Sequence, residues 1–413
     1  MKRYNLIVVG GGFTGCAAAI SAAREGLSVL LIEKGNAMGG AAAQCMVIPY
    51  MPYWTKINGE KFYLSSGVFS EINERLMEHK AYDGRSVFND EFLKIVLNDM
   101  LSEAGVEILF HTMLVGATQE DGVVKSIQVA NKAGLMTLEA DYFVDATGDA
   151  NLAYFAGFPY QLGREEDNLC QPMTLCFRIG GVDTDHLDRA KINRVYKEFK
   201  AQGKIQNPRE DLLIFSTLID GMVHMNSTCV IKLNPTDPFD FSKAEVEARK
   251  QVLEIFEFLK NNIEEFKNSE LISSAPEIGV RESRMIQGEY WLTGDELKTC
   301  PKFEDSIALG NYDMDIHSPD GEGTSHYYFK KGEYYSIPYR CLIPKGSKNL
   351  LVGGRCISAD HYAQASIRIM PIVCTLGQAA GTAIAVAHHE NADVKEINMD
   401  ALHEVLKKNK AVF

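Results

Sequence analysis

The sequence predicts an α/β fold in which both ends of the chain build one domain and the middle forms an inserted α+β domain. Three observations predict it. The N-terminus reads as strand, glycine turn, helix, strand and acid: Asn5 to Val9, Gly10 to Gly15, Cys16 to Arg24 with a stop at Gly26, then Ser28 to Ile32 ending on Glu33. The C-terminus returns to an apolar strand, Asn349 to Gly353, then a loop and the helix Leu376 to His388. Between them the pattern changes at Pro172 and changes back near Tyr339. The expected division is 1–164, the first part of the end domain; 165–334, the inserted substrate or cap domain; and 335–413, its C-terminal part.

The elements follow in order. Asn5-Leu6-Ile7-Val8-Val9 is apolar and β-branched, as a buried parallel strand requires. Small residues Ala41 to Ala43 after Gly39-Gly40 let backbone lie against a flat surface. Ser65 to Lys80 and Asn89 to Ala104 read as helices, the second with Phe92, Leu93, Val96, Leu97 and Met100 on one stripe and Gly105 as its stop. From Val106 the period becomes two. Glu107 to Phe110, Met113 to Val115, Val123 to Val129 and Met136 to Ala140 are short strands, turned at Asp121-Gly122 and Lys132-Ala133-Gly134. Tyr142 to Asp149 is a strand ending in Ala-Thr-Gly. In the insert, Asp183 to Gly203 is a polar helix and Leu212 to Leu233 is strand-like. Ser242 to Glu245 is a capping box opening a helix towards Lys267.

The N-terminal motif carries chemistry. Gly10, Gly12 and Gly15 fit G-x-G-x-x-G, where the first glycine makes a tight turn, the second lets backbone approach a pyrophosphate, and the third lets helix pack on strand. The helix start offers free N–H groups and partial positive charge to phosphates. Glu33 stands about 20 residues on, where an acid bonds a ribose hydroxyl. This is a Rossmann-like dinucleotide site.

Composition narrows the partners. The net charge of −13 argues against nucleic acid and against an anionic membrane surface, though placed arginines can still make a pocket for an anion. No apolar run reaches the span of a membrane, and glycines interrupt the stretch after Met1-Lys2-Arg3, so it does not read as a signal peptide. The 9 cysteines are scattered without C-x-x-C, which points to reduced thiols in a cytoplasm and to no zinc or iron–sulfur site.

Several separated segments together resemble the glutathione-reductase-like flavoprotein fold, and within it a bacterial FAD-dependent oxidoreductase family related to fumarate reductase flavoproteins. They are Val8 to Lys34 with Gly39-Gly40, Val144 to Ala150, Gln171-Pro172-Met173-Thr174, Ile278 to Arg284, Ile337 to Arg340, and Asn349 to Arg355 running through Ser366-Ile367-Arg368 to Gly377-Gln378-Ala379-Ala380-Gly381. The resemblance implies FAD. It places Gly10, Gly12, Phe13, Thr14, Gly15, Thr147 and Gly148 beside the pyrophosphate, Glu33 on the adenosine ribose and Leu114 near the adenine. Gly354 and Arg355 would hold the ribityl region, and Ala365, Ser366 and Ile367 would offer N–H groups to the flavin pyrimidine. A helix beginning near Gly377 would point its positive end at reduced flavin. Lys34, Gly39, Gly40, Ala41 and Ala146 complete the cofactor set.

Departures matter equally. Cys45 stands alone after Gly39-Gly40, against dithiol chemistry, and no histidine precedes His79, against a covalent flavin link. No second dinucleotide motif is visible, so the electron partner is open, as is the oligomeric state. For the substrate, Arg281 (three before Arg284), His317, Tyr339, Arg340 and His361 are the candidate catalytic residues, and Arg281, His317, Arg340 and His361 are expected to converge over the flavin. The expected reaction is hydride transfer between non-covalent FAD and a small organic substrate, a carboxylate among the candidates. The rivals are a flavin isomerase or hydratase, a thiazole-synthase-like NAD-binding protein, and a flavoprotein subunit of an electron-transfer complex.

Overall fold

The computed structural model describes residues 3–321 and 323–413. Its centre is a five-stranded parallel sheet, in spatial order Leu350–Val352, Ala140–Asp145, Tyr4–Val9, Val29–Ile32, Glu107–Leu109. These are the apolar runs of the sequence, and all but Glu107–Leu109 are almost wholly buried. From Tyr4–Val9 the chain first builds towards Val29–Ile32 and later returns on the other side with Ala140–Asp145. The sheet order therefore reverses beside Gly10, and in such sheets the crevice at the reversal is where ligands sit.

The helix Phe13–Arg24 packs on the long C-terminal helix Met370–Glu390. Their backbones nearly touch. A Cβ on Gly377 would lie 2.2 Å from Thr14 O, and one on Gly381 would lie 2.1 Å from Ala18 O. The second helix begins at Met370 rather than at Leu376, because Pro371 suits a first turn. It also corrects the expectation about apolar runs. By length and mean hydropathy (1.5) it could cross a membrane, but here its apolar stretch is packed inside the protein and only the end at His389-Glu390 is exposed.

A three-stranded antiparallel sheet, Met113–Glu120, Val123–Asn131 and Gly134–Leu138, extends this domain. Its first turn has φ 50° at Asp121 and 83° at Gly122, the left-handed pair a two-residue hairpin needs.

The cap is a four-stranded antiparallel sheet, Ile214–Ser216, Val223–Met225, Phe177–Gly180 and Glu270–Ser274 in that order, with helices Arg189–Ala201 and Pro238–Asn262. The long helix does not open at a capping box. Asp237 caps it, accepting from the N–H groups of Phe239 and Asp240, with Pro238 in the first turn, while Ser242 Oγ sits inside and donates to Pro238 O. The stretch Leu212 to Leu233 yields only two three-residue strands.

The insert divides mainly between two cores, with Ile286 joining a third beside the central sheet. One cluster runs from Met173 to Ile278 and takes in Met46. Leu292, Ile307, Ala308, Met314, Tyr335 and Ile337 instead share a cluster with Leu6 and Phe13. The reason is that Ser306–Gly310 pairs with Tyr335–Pro338 and lies against the C-terminal helix.

Candidate functional site

The glycine loop after Tyr4–Val9 forms a cradle. Gly10 has φ 103°, and a Cβ there would lie 2.4 Å from Ala146 O. A Cβ on Gly15 would lie 1.8 Å from Gly10 O. Gly12 differs: the nearest atom to its missing Cβ is Gly40 Cα at 3.8 Å, so it leaves room instead of relieving a clash. Facing that room, Phe13–Arg24 has no side-chain cap and no acid in its first turn, so its first N–H groups await an acceptor. Gly39 N donates to Gly11 O at 2.8 Å, which holds Gly39-Gly40 across the loop, with Ala41 opening the short helix Ala41–Gln44. Gly353 and Gly354 close the third side against Thr14, whose Oγ1 donates to Val373 O at 3.0 Å.

Glu33 is buried, and its carboxylate accepts from Gly11 N at 2.6 Å and Gly35 N at 2.7 Å. It therefore shapes the glycine loop, and its remaining lone pairs can take ribose hydroxyls. Lys34 reaches instead to Glu277 of the cap at 2.7 Å. Leu114 is half-buried opposite Val129. Thr147 N and Oγ1 donate to Asp145 Oδ1 at 3.0 and 2.7 Å, which fixes the strand end. Gly148 (φ 80°) lies under the Arg355 guanidinium, where a Cβ would come within 2.5 Å of Nη1. Arg355 Nη2 bonds Asp149 Oδ1 at 2.5 Å, and its buried Nε has no partner among the described residues. Burial works to raise the Asp149 carboxyl, but Arg355 and Ser283 outweigh it and hold it below the usual range. A cradle with open space at Gly12, uncapped helix N–H groups and a buried acid fits a dinucleotide such as FAD.

Two cofactor expectations are corrected. Ala365, Ser366 and Ile367 lie in the helix His361–Ile367, where N–H groups are spent on the preceding turn. Ser366 Oγ is engaged by Tyr335 OH at 2.6 Å and by Tyr312 O. The free positive end belongs to Met370–Glu390, uncapped at Ile369, not to Gly377, which is buried mid-helix against Thr14. Pro371 was the signal that could have placed it.

Beyond Arg355 lies a basic cluster. Gln364 Nε2 donates to Arg281 O at 2.8 Å and to Arg355 O at 3.4 Å, joining the cofactor end to it. Arg281 Nη1 donates to Pro172 O at 2.7 Å and to Thr174 Oγ1. Arg368 Nη2 and His317 N both donate to Gln171 Oε1, at 3.3 and 3.5 Å. His317 Nε2 lies 3.4 Å from Asp315 Oδ2, and Nδ1 meets Thr324 Oγ1 at 3.0 Å. Burial, with Arg209 and Arg368 beside it, brings the Arg281 guanidinium down to about 10. Burial, with Arg281 beside it, takes His317 down to about 3, so its ring is neutral at pH 7.

His361 joins through a buried carboxylate. Its Nδ1 meets Glu282 Oε1 at 2.7 Å, and Glu282 Oε2 accepts from Gln171 N at 2.9 Å. The ring also lines an open cleft of about 460 Å³ with Arg164, Thr324 and Tyr362. The structure thus gathers Arg281, His317 and His361 around Gln171. It separates Tyr339 and Arg340 from them. Arg340 sits on the surface, bonded to Asp305 at 2.8 Å with its guanidinium over the Tyr290 ring, and Tyr339 OH donates to Val394 O inside the core. The short turn Tyr339–Leu342 carries both away from the cleft. Burial, then Glu277, pushes the Cys45 thiol far up, which removes it as a nucleophile. Gln171, Arg209, Glu282, Asp315 and Arg368 were not assigned from sequence; only Gln171, Glu282 and Arg368 lay in recognised segments.

Known proteins add to this geometry. Residues 5–406 match the family described as FAD dependent oxidoreductase. A digeranylgeranylglycerophospholipid reductase of Methanocella arvoryzae is 29% identical over 184 residues, 41% of this chain and 45% of that protein. One from Methanothrix thermoacetophila is 25% identical over 201 residues, 45% of this chain and 49% of that protein. The chain thus spans about half the length of the curated relatives it matches. Among solved structures, a geranylgeranyl bacteriochlorophyll reductase-like protein of Thermoplasma acidophilum aligns with TM-score 0.48 at 16% identity, over 99% of this chain and 84% of that one. With its dinucleotide cradle at the sheet reversal and a family match over nearly its whole length, the chain belongs to the FAD dependent oxidoreductase family, and it is an enzyme whose cofactor is FAD.

Proposed function

We propose that this enzyme transfers a hydride between non-covalently held FAD and a small organic carboxylate seated on the basic cluster. The observation that carries the reading is the Gln364 bridge. Its Nε2 joins the Arg281 and Arg355 carbonyls, and its Oε1 accepts from Gln171 Nε2, while Gln171 Oε1 accepts from Arg368 Nη2 and His317 N; this chain of bonds supports seating the cluster beside the cofactor cradle. FAD supplies the redox chemistry when bound. The chain's own residues bind, orient and move protons. Arg281 and Arg368 fix the carboxylate by charge-assisted hydrogen bonds. His317 is held neutral by burial and by Arg281, so it takes a proton once a bound anion offsets Arg281, and the Glu282-held ring of His361 lines the cleft beside it. The first histidine of the chain, His79, lies past the cradle loop, which supports a non-covalent flavin.

The relatives' name favours the reductive direction. Their prenyl-lipid substrates do not suit walls of arginine and histidine, so we propose a polar substrate here. We infer a cytoplasmic location from cysteine usage and kinship to fumarate reductase flavoproteins from the order of the motifs. The test is anaerobic. The protein is expected to purify yellow, to release FAD on heat denaturation, and to be bleached by a subset of organic acids. A protein that refuses FAD overturns the cofactor site. Full FAD loading with substrate conversion but no flavin bleaching would favour the isomerase or hydratase rival.

A further inference from the structure

The charge balance of the basic cluster does not close. Arg209 is 5% exposed, its Nε is sealed from solvent, and among the described residues its guanidinium has neither a hydrogen-bond nor an ion-pair partner. Arg281 bonds only neutral oxygens: Pro172 O, Thr174 Oγ1 and, at 3.5 Å, Asn226 Oδ1. Arg368 has a sealed, unpartnered Nε as well, and reaches one carboxylate, Asp315, at 4.0 Å. That carboxylate is shared with His317 and with Tyr312 OH at 3.0 Å. Glu210, next to Arg209 in the chain, turns to Thr324 Oγ1 at 3.0 Å. Arg209 and Arg281 are thus held near one another, within electrostatic reach of Glu210 and Asp315 but bonded to neither carboxylate among the described residues. Charges buried this way oppose folding unless a counter-charge is supplied.

We propose that Arg209, Arg281 and Arg368 form a receptor for a dianion, a small molecule with two carboxylates or one phosphate. This deepens the reading above by naming the substrate's charge, and it rests on that reading for the ligand being the substrate. Each unpaired guanidinium takes one anionic group in the fork geometry that arginine offers. Arg368, anchored on Gln171 and Asp315, sets the position. Nothing in the local sequence around Arg209 announces this role; the fold brings Asn207–Glu210 against the hairpin Met314–His317 and Thr324–Tyr327.

The experiment titrates FAD-loaded enzyme with malonate, glutarate and inorganic phosphate, with acetate and chloride as monoanion controls, reading flavin absorbance and melting temperature. Dianions are expected to saturate and to bind at least about tenfold tighter than acetate. Arg209→Met and Arg281→Met should each lose about tenfold or more of that affinity. Ligand-free Arg209→Met should melt no lower than the parent, because a buried repulsion has gone; a residue kept only for packing would not behave so. The better of the dicarboxylate and phosphate arms identifies the source. Dianions no tighter than acetate, or Arg209→Met with parental affinity, overturn the proposal. If dianions fail while an organic acid bleaches the flavin, the receptor falls and the oxidoreductase reading stands. If dianions bind but no organic acid bleaches the flavin, the receptor stands and the hydride-transfer reading falls.

Discussion

Gly12 and Gly15 separate two reasons for a glycine within one motif. At Gly15 an added methyl would collide with Gly10 O, a backbone atom that has nowhere to go. At Gly12 it would enter open space. Gly12→Ala is therefore expected to fold with a near-parental melting temperature yet fail to retain FAD, whereas Gly15→Ala should not yield folded protein. Expression, melting and flavin content read both. Glu33→Ala removes the acceptor of two buried N–H groups as well as the proposed partner of the ribose. Each hydrogen bond to a charged group is worth about 1.5–3 kcal/mol, so FAD affinity should fall about ten- to a hundredfold. The melting temperature of the apoprotein should fall too, and an unchanged apoprotein would show that Glu33 does not shape the loop. The motif and its acid were legible because each residue's reason is local. Arg340 misled for the complementary reason: its position after Pro338 is local, but its partner Asp305 is not.

Elements were legible where a cap or a period is written in the chain. Asn89 opens Asp90–Glu103 by accepting from Glu91 N and Phe92 N, and the stripe of Leu93, Val96, Leu97 and Met100 faces the core. The long cap helix was misread at its start because Ser242 also fits a capping pattern, while Asp237-Pro238 fits better. His224, in Val223–Met225, gave no signal at all. It is fully buried and neither ring nitrogen has a partner among the described residues. Burial, then Arg178, lowers it from the ordinary 6.5 to about 3. Between those values the unfolded chain binds a proton that the folded one refuses. The stability it permits is complete above 6.5 and drains away as pH falls towards 3. At pH 5 the loss is about 2 kcal/mol. His224→Leu should flatten the decline in melting temperature between pH 7 and pH 5. Parallel curves for variant and parent would refute this.

Across the whole molecule, cap and base are tied by Arg178, which reaches from the cap sheet to Asp90 at 2.5 Å, with side chains 16% and 5% exposed. Removing one partner strands the other charge, a loss of about 3–5 kcal/mol. Arg178→Ala should lower the denaturation midpoint by that measure and open the cap to protease, while Arg340→Met, at an exposed pair, should change stability by less than about 1 kcal/mol. A protease-resistant Arg178→Ala would show that the cap is held by its apolar seam alone. The two-ended domain was legible because strand and helix return late in the sequence. The division of the insert between two cores was not, since Ser306–Gly310 reads like any other short strand until its place against Met370–Glu390 is known.

The bond from Thr14 to Val373 spans 359 residues. In synthesis the glycine loop emerges long before the wall that completes it. The cap's own core, Met173 to Ile278 with Met46, is whole well before that. Synthesis therefore inverts the usual order, in which N-terminal units fold first. The middle can settle while the glycine loop waits, and the flavin has no finished seat until Gly353-Gly354 and Val373 have emerged.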